Sequence, residues 1–378
     1  MSFSQSSALK CASAAVLAAI LGCGPGDGVK EFSEGKEAYG LRDLKTAERL
    51  FEKSVAAAPQ DVDRLLYLAR TELELGELEK AKDLVERAAG NSDGDADVAL
   101  LKSQVAWHAK DYKTAASGFA DIANDADLDA SVRSQGWAGL GVVEMTCDNH
   151  HLARVAFFRA LKLDRKNAAA WYHLGLLYRD GFGYLEPSLE QFEIFVRLEE
   201  QASPRVQKVQ RTVIPALKEQ IARAATERPG VSKRNSAACA AAISEAEAAV
   251  KKGNFKLARE SYRKALTADP LSYPAALGLA KSWEKTDATK DGQQKAFENY
   301  KIACALRPSA VATFLTAGSL AVKLGFGLQA VEIYSRAIAA NPNSIDAIDG
   351  LVRALRKTGG KEKVAAAYQS YRASLARK

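Results

Sequence analysis

Small and apolar residues recur along this chain at a fixed interval. Ala47, Ala81 and Ala115 stand 34 residues apart, and Phe51, Val85 and Phe119 follow them at the same spacing. The interval returns between Trp137 and Trp171, Ala296 and Ala330, Tyr300 and Tyr334, and Pro308 and Pro342. A period of this length holds two helices and their turns, so it predicts a stack of helical hairpins. In the unit spanning 312–343, Phe314 and Gly318 fall on one predicted helix, Gly325 breaks it, and Ala330, Tyr334 and Ala337 fall on a second that ends at Pro342. Helices approach closely only where side chains are small. Gly318, Ala330 and Ala337 therefore mark the contact lines, and Tyr334 fills the space between neighbouring units. Gly325 accepts the positive φ of an inter-helix turn. Pro342 stops the helix and biases Asn341 towards extended geometry, which re-aims the chain.

This pattern resembles the tetratricopeptide repeat. The unit around Trp171 carries the first-helix signature of Trp171, Leu174, Gly175 and Tyr178. The next carries the second-helix signature of Gly253, Asn254, Phe255, Ala258, Tyr262, Ala265 and Pro270. Nine units can be placed, centred on Ala47, Ala81, Ala115, Ala153, a degenerate Ser188, Ala258, Ala296, Ala330 and Val364, covering most of 28–378. The resemblance implies an all-α fold, an α-solenoid of about nine hairpins in a right-handed superhelix. Departures are local. The second and third units lack the closing Pro, and inserts fall near 180–187 and 286–293.

A second apolar pattern interrupts the array. Val206, Val209, Val213, Ile214, Leu217 and Ile221 line one face of a predicted amphipathic helix, with Pro215 expected to kink it. The Pro-Gly-Ser stretch that follows reads as an exposed join. The expected organisation is a block at 28–224 with a capping helix, a linker at 225–236 and a second block at 237–378.

With 378 residues, 47% of them apolar and 26% charged, the chain can bury a large core. Trp and Tyr at the repeat interval are expected to pack in it. The net charge of +7 is modest, but eight of the last 28 residues are basic and only Glu362 is acidic. That tail either meets an anionic surface or solvates the outer face of the last hairpin, on which nothing stacks. The charge excess is too small, and too little interleaved with aromatics, to indicate a nucleic-acid partner.

The first 22 residues read as a secretory signal, with Lys10 before an apolar run too short to span a bilayer. Ile20-Leu21-Gly22-Cys23 resembles the bacterial lipobox, which implies lipid attachment at Cys23 and a new N-terminus there. Residues 23–28 then form a Gly-rich tether. By the same resemblance, Gly24 favours the outer membrane, with the chain facing the periplasm or the cell surface. Cys147, Cys239 and Cys304 are expected to be buried small residues, since their spacing suggests neither a disulfide framework nor a metal cluster.

No catalytic or cofactor motif is evident. His108, His150, His151 and His173 lack helical zinc spacing, and no nucleophile elbow or phosphate-cradling loop appears. Glu72, Glu74, Glu77 and Glu79 read as the solvated face and turn of the second hairpin. These observations favour a chain that is not an enzyme and that holds no metal or cofactor.

In the resembled family the first helices line a concave groove. Carried over by position, the resemblance places Phe32 and Tyr39 there from the first unit, and Leu66, Tyr67, Arg70 and Leu73 from the second. The third gives Leu100, Leu101, Gln104, Trp107 and His108, and the fifth Tyr172, His173, Leu176 and Arg179. Such a surface suits an extended or helical peptide, with rings as anchors and Arg70 and Arg179 orienting it. The family's two-carboxylate clamp has no matching Lys and Asn set here. Groove positions of the second block, such as Glu247, Lys251, Lys281 and Lys285, are far more polar. The expected function is a non-catalytic scaffold for envelope proteins or peptides, serving secretion, pilus or outer-membrane assembly. The alternative is a surface lipoprotein that captures glycan or another solute.

Overall fold

The computed structural model describes residues 27–92, 94–199, 203–227, 234–286 and 288–376. The expected signal segment, Cys23, most of the tether, and the middle of the 225–236 join lie outside the described residues. Among the described residues no helix is long and apolar enough to cross a membrane, and every regular element is helical.

The chain folds into nine hairpins among the described residues. The first four pair α1 (Val29–Gly40) with α2 (Leu44–Ala57), α3 (Val62–Leu75) with α4 (Leu78–Gly90), α5 (Ala96–His108) with α6 (Tyr112–Asn124), and α7 (Ala130–Thr146) with α8 (His150–Leu163). The fifth joins α9 (Ala168–Leu176) to α10 (Leu185–Leu198) through a π-helical turn, Leu177–Phe182. An unpaired helix follows, built from α11 (Pro204–Lys208), a second π turn (Val209–Val213) and α12 (Ile214–Thr226). The last four hairpins pair α13 (Ser236–Lys251) with α14 (Phe255–Ala268), α15 (Tyr273–Thr286) with α16 (Lys290–Leu306), α17 (Val311–Leu324) with α18 (Gly327–Ala340), and α19 (Ile345–Thr358) with α20 (Glu362–Ala376). Each second helix carries one of the nine expected centres. The fold is an all-α repeat solenoid.

The helix ends follow from local chemistry. Asp43, Asp61, Asp95 and Asp111 each accept a backbone N–H from the first turn of the helix they precede, as do Asn167, Asn235, Asn254, Thr289 and Ser344. Such caps satisfy donors that an α-helix leaves unpaired. Six of the first helices are followed by a left-handed residue. Gly76, Gly253 and Gly325 hold this place at φ 87, 72 and 82°, and Arg42, Lys110 and Asp148 hold it at 64, 62 and 58°. The following N–H then bonds back five residues, as from Asp43 to Ala38 O (3.0 Å) and from Phe326 to Ala321 O (2.8 Å).

The chain divides into two compact units, one of residues up to 177 with 194–201 and one of 178–193 with 202–378. In the first unit Phe51, Val85, Phe119 and Phe157 are buried, and Ala47, Ala81, Ala115 and Ala153 are fully inaccessible. In the second, Tyr262, Phe297, Tyr300 and Tyr334 do the same beside Ala258, Ala296 and Ala330. Many of these rings lie on a bare glycine. A Cβ at Gly35 would stand 2.7 Å from Phe51, one at Gly141 2.6 Å from Phe157, and one at Gly318 2.7 Å from Tyr334. At Gly139, Gly278 and Gly350 the clash with Phe119, Tyr262 and Tyr334 would be tighter still.

The unpaired helix buries Val206, Val209 and Leu217. The π turn ends just before Pro215, so the helix continues around a residue that has no N–H to donate. In the same unit the inserted Tyr184 is buried, and its hydroxyl donates to Glu332 of α18 at 2.9 Å. Two core expectations are corrected. Cys147 is exposed because it caps the end of α7, where no second helix covers it, whereas Cys239 and Cys304 are buried. Trp137 and Trp171 are only half-buried. Trp137 lies under the Arg159 guanidinium at 4.4 Å, and Trp171 turns its indole N–H outward to Arg165 O at 2.9 Å.

Tyr334 touches glycines of two successive hairpins, so Gly350→Ala is expected to destabilise the protein by about 2 kcal/mol through overpacking. Urea denaturation checks this, and a change no larger than that of an exposed Gly→Ala substitution would refute the contact.

Candidate functional site

The first helices of unit 1 carry a group of half-buried rings. Phe32 and Tyr39 lie one above the other on α1, seven residues apart, and Tyr67 reaches them from α3. Tyr67 meets Phe32 edge-on at 5.3 Å and Tyr39 edge-on at 6.4 Å, and it rests against the buried Phe51 at 5.5 Å. These are favourable aromatic geometries. The rings form a half-buried wall whose floor is the hydrophobic core.

Charges of both signs edge that wall. Lys36 Nζ lies 4.7 Å from the Phe32 ring centre and 6.0 Å from that of Tyr67, and the Arg70 guanidinium lies 5.7 Å from Tyr67. Arg70 also stands 3.9 Å from Asp97 on α5. The Tyr39 hydroxyl donates to Glu74, which Arg42 holds as an ion pair. Burial first, and then the Glu74 carboxylate, push the Tyr39 hydroxyl far above its ordinary pKa, so it stays a donor at every physiological pH.

The other expected groove residues divide. Trp107 is half-buried and donates its indole N–H to Thr146 Oγ1 at 3.2 Å, with the exposed His108 edge-on at 4.7 Å. Tyr172 is half-buried and packs on Phe195 at 5.1 Å. His173 is buried, stacked parallel to Phe157 at 6.2 Å, and so does not line a solvent-facing surface. Leu66, Leu100 and Leu101 are core residues as well, because the positions beside Tyr67 and Trp107 turn inward against the second helices. Arg179 belongs to unit 2, where its guanidinium pairs with Asp180 at 2.6 and 2.8 Å and lies 5.9 Å from the Phe192 ring centre. The structure thus gathers Tyr39, Tyr67 and Arg70 around Phe32. The sequence did not reveal the parts played by Lys36, Arg42 and Glu74, since charged residues on a helix face look alike until their partners are known.

A carboxylate cluster on the second-helix side also escaped the sequence. Glu72 is buried rather than solvated, and its oxygens and those of Glu48 and Glu52 lie within 4.8 Å of one another. These are hard oxygen ligands of the kind that hold divalent cations. Lys80 already answers them, with Nζ 3.4 Å from Glu48 and 3.5 Å from Glu72. Burial raises the Glu72 carboxyl above its ordinary value, and the nearby Lys80 opposes that rise. At the turn into α8, His150 Nε2 lies 3.7 Å from Asp148.

Residues 38–105 and 243–303 each match a family profile described as tetratricopeptide repeat. No curated protein matches the chain. Among solved structures it is similar to Pseudomonas aeruginosa pilF at 17% identity, over 53% of this chain and 93% of that one, with a TM-score of 0.39. It is similar to MamA 41-end from Desulfovibrio magneticus RS-1 at 16% identity, over 46% of this chain and 94% of that one, with a TM-score of 0.34. The APC/C hetero-tetramer Cut9-Hcn1 matches at 14% identity over 95% of this chain and 81% of that one, with a TM-score of 0.37.

A buried carboxylate without its counter-charge is destabilising while ionised and harmless once protonated. Lys80→Ala is therefore expected to lower the melting temperature at neutral pH. The deficit should shrink as acid protonates Glu72, whose folded-state pKa is already raised. Thermal melts of both proteins across the acid range check this, and a deficit that stays constant or widens would refute the counter-ion role.

Proposed function

We propose that this tetratricopeptide-repeat protein is a non-catalytic adaptor, binding partner proteins or peptides along the first helices of unit 1. A lipid on Cys23 would hold it at the bacterial outer membrane, facing the periplasm. There it serves secretion, pilus or outer-membrane assembly.

The observation that carries the binding role is the ring wall of Phe32, Tyr39 and Tyr67, with Lys36 and Arg70 beside it. Aromatic side chains offer large contact area at little entropic cost, and flanking charges of both signs fix the direction of a bound segment. The rings pack on the core with one side and are half-buried, and their accessible edges would serve a partner. The membrane role is supported by Ile20-Leu21-Gly22-Cys23 and the Gly-rich residues after it. One acyl chain anchors marginally and two or more hold stably. Confinement to a surface raises the effective concentration of anything the protein holds, which promotes assembly without chemistry.

Photoreactive residues at Tyr67 and Trp107, with exposed Lys53 on α2 as the control position, test the binding role in intact cells. Discrete protein adducts are expected at the first two positions and not at the third. Saturable glycan binding by the purified chain without protein adducts would instead favour solute capture. Cys23→Ser should release the protein from the membrane fraction, and unchanged retention would count against the lipid anchor.

A further inference from the structure

Unit 2 gathers three cations around a single ring. Trp283, half-buried near the end of α15, has the Arg259 guanidinium 4.4 Å, Lys295 Nζ 4.9 Å and the Arg263 guanidinium 5.7 Å from its ring centre. The cations come from the second helices of two successive hairpins, α14 and α16, and the indole reaches them from the first helix between. Elsewhere in this unit guanidinium groups face carboxylates, as in Arg234 with Asp269, Arg336 with Glu332 and Arg372 with Asp349. Among the described residues around Trp283, Asp291 pairs with Lys295. Arg259 donates instead to the neutral Thr286 Oγ1 at 2.7 Å, and Arg263 makes no ion pair among the described residues.

Attraction to the ring face holds the cations in place but does not neutralise Arg259 and Arg263, which make no ion pair among the described residues. A positive potential is therefore focused on one point of the second-helix side. We infer that this cluster docks the carboxylates of an acidic peptide segment in a partner protein. Guanidinium groups present paired donors that match a carboxylate in plane, and Arg263 has that fork open. An anionic bilayer is a poorer fit, because it rewards basic residues spread over a plane, whereas these converge on a single ring. The inference goes beyond the adaptor reading, since it uses another unit and other helices. It shares with that reading only the premise that the ligand is a protein.

The test is fluorescence anisotropy of a labelled oligo-glutamate peptide titrated with the purified full chain, with oligo-lysine as the control peptide. Saturable binding that weakens as salt rises is expected for oligo-glutamate alone. Arg263→Glu and Lys295→Glu should each weaken it about tenfold or more, with Lys295→Arg retaining it. Lys53→Glu, a charge reversal at an exposed position of α2 in unit 1, should leave it unchanged, which separates this site from a general effect of net charge. Circular dichroism verifies that each variant is folded, and Arg263→Gln replaces any that is not. No oligo-glutamate binding, equal affinity in the charge-reversed variants, or binding through Arg263 and Lys295 only to vesicles containing anionic phospholipid would each overturn the proposal.

Discussion

A ring pressed onto bare backbone sets the distance between helices throughout this protein. Phe51 lies on Gly35, Phe119 on Gly139, Phe157 on Gly141 and Tyr262 on Gly278, while Tyr334 lies between Gly318 of its own hairpin and Gly350 of the next. Each contact needs both partners. A Cβ on the glycine would overlap the ring, and a smaller residue in place of the ring would leave a void. In a solenoid each repeat contacts mainly its neighbours, so stability accumulates from many such local interfaces. The ring that bridges two hairpins is the element that makes them cooperate. Burial leaves its mark on Tyr334, whose hydroxyl is pushed above its ordinary pKa although Arg353 pulls the other way.

The same arrangement explains why the first helices can carry a binding surface. Once second-helix rings and alanines fill the space between layers, the outward side of a first helix is not needed for stacking. Tyr67 shows the transition within one residue, since it rests on the buried Phe51 and also meets Phe32, Tyr39, Lys36 and Arg70 while remaining half-buried. Tyr39 is pinned by Glu74, and Glu74 by Arg42 at the turn between α1 and α2. The wall is thus rigid before any partner arrives, which reduces the ordering cost of binding.

Much of the fold was legible because the 34-residue spacing places the same steric type at the same point of every layer. Ala47, Ala81 and Ala115 could be assigned to second helices, and Gly325 to a turn, without knowing any long-range contact. What could not be seen was which side of a first helix each polar residue takes. Glu72 and Glu74 are two residues apart, yet one is buried beside Glu48 and Lys80 while the other bonds Tyr39. A helix advances about 100° per residue, so an error of one position carries a side chain from solvent to core. His173, Leu66, Leu100 and Leu101 were placed outward for this reason. The cations around Trp283 were hidden differently, because they come from separate helices whose alignment only the folded chain reveals.

The insert in the fifth hairpin shows how a local irregularity changes connectivity. Extra residues at a turn usually extend a loop, but here the backbone takes up a π-helical turn at Leu177–Phe182, followed by Gly183 at φ 69°. That turn gathers Tyr178, Phe182 and Tyr184, with ring centres 5.3 to 6.2 Å apart. Tyr184 then donates to Glu332, which also accepts from Arg336 at 2.8 Å, and the Arg336 guanidinium lies 5.2 Å from the Tyr184 ring centre. The partners are 148 residues apart in sequence, a separation that a linear stack of repeats does not ordinarily bridge. Residues 178–193 belong to the same compact unit as α18, so the division falls inside the fifth hairpin. The hydroxyl and the carboxylate that meet here belong to the fifth and eighth hairpins, a pairing that no spacing in the sequence announces.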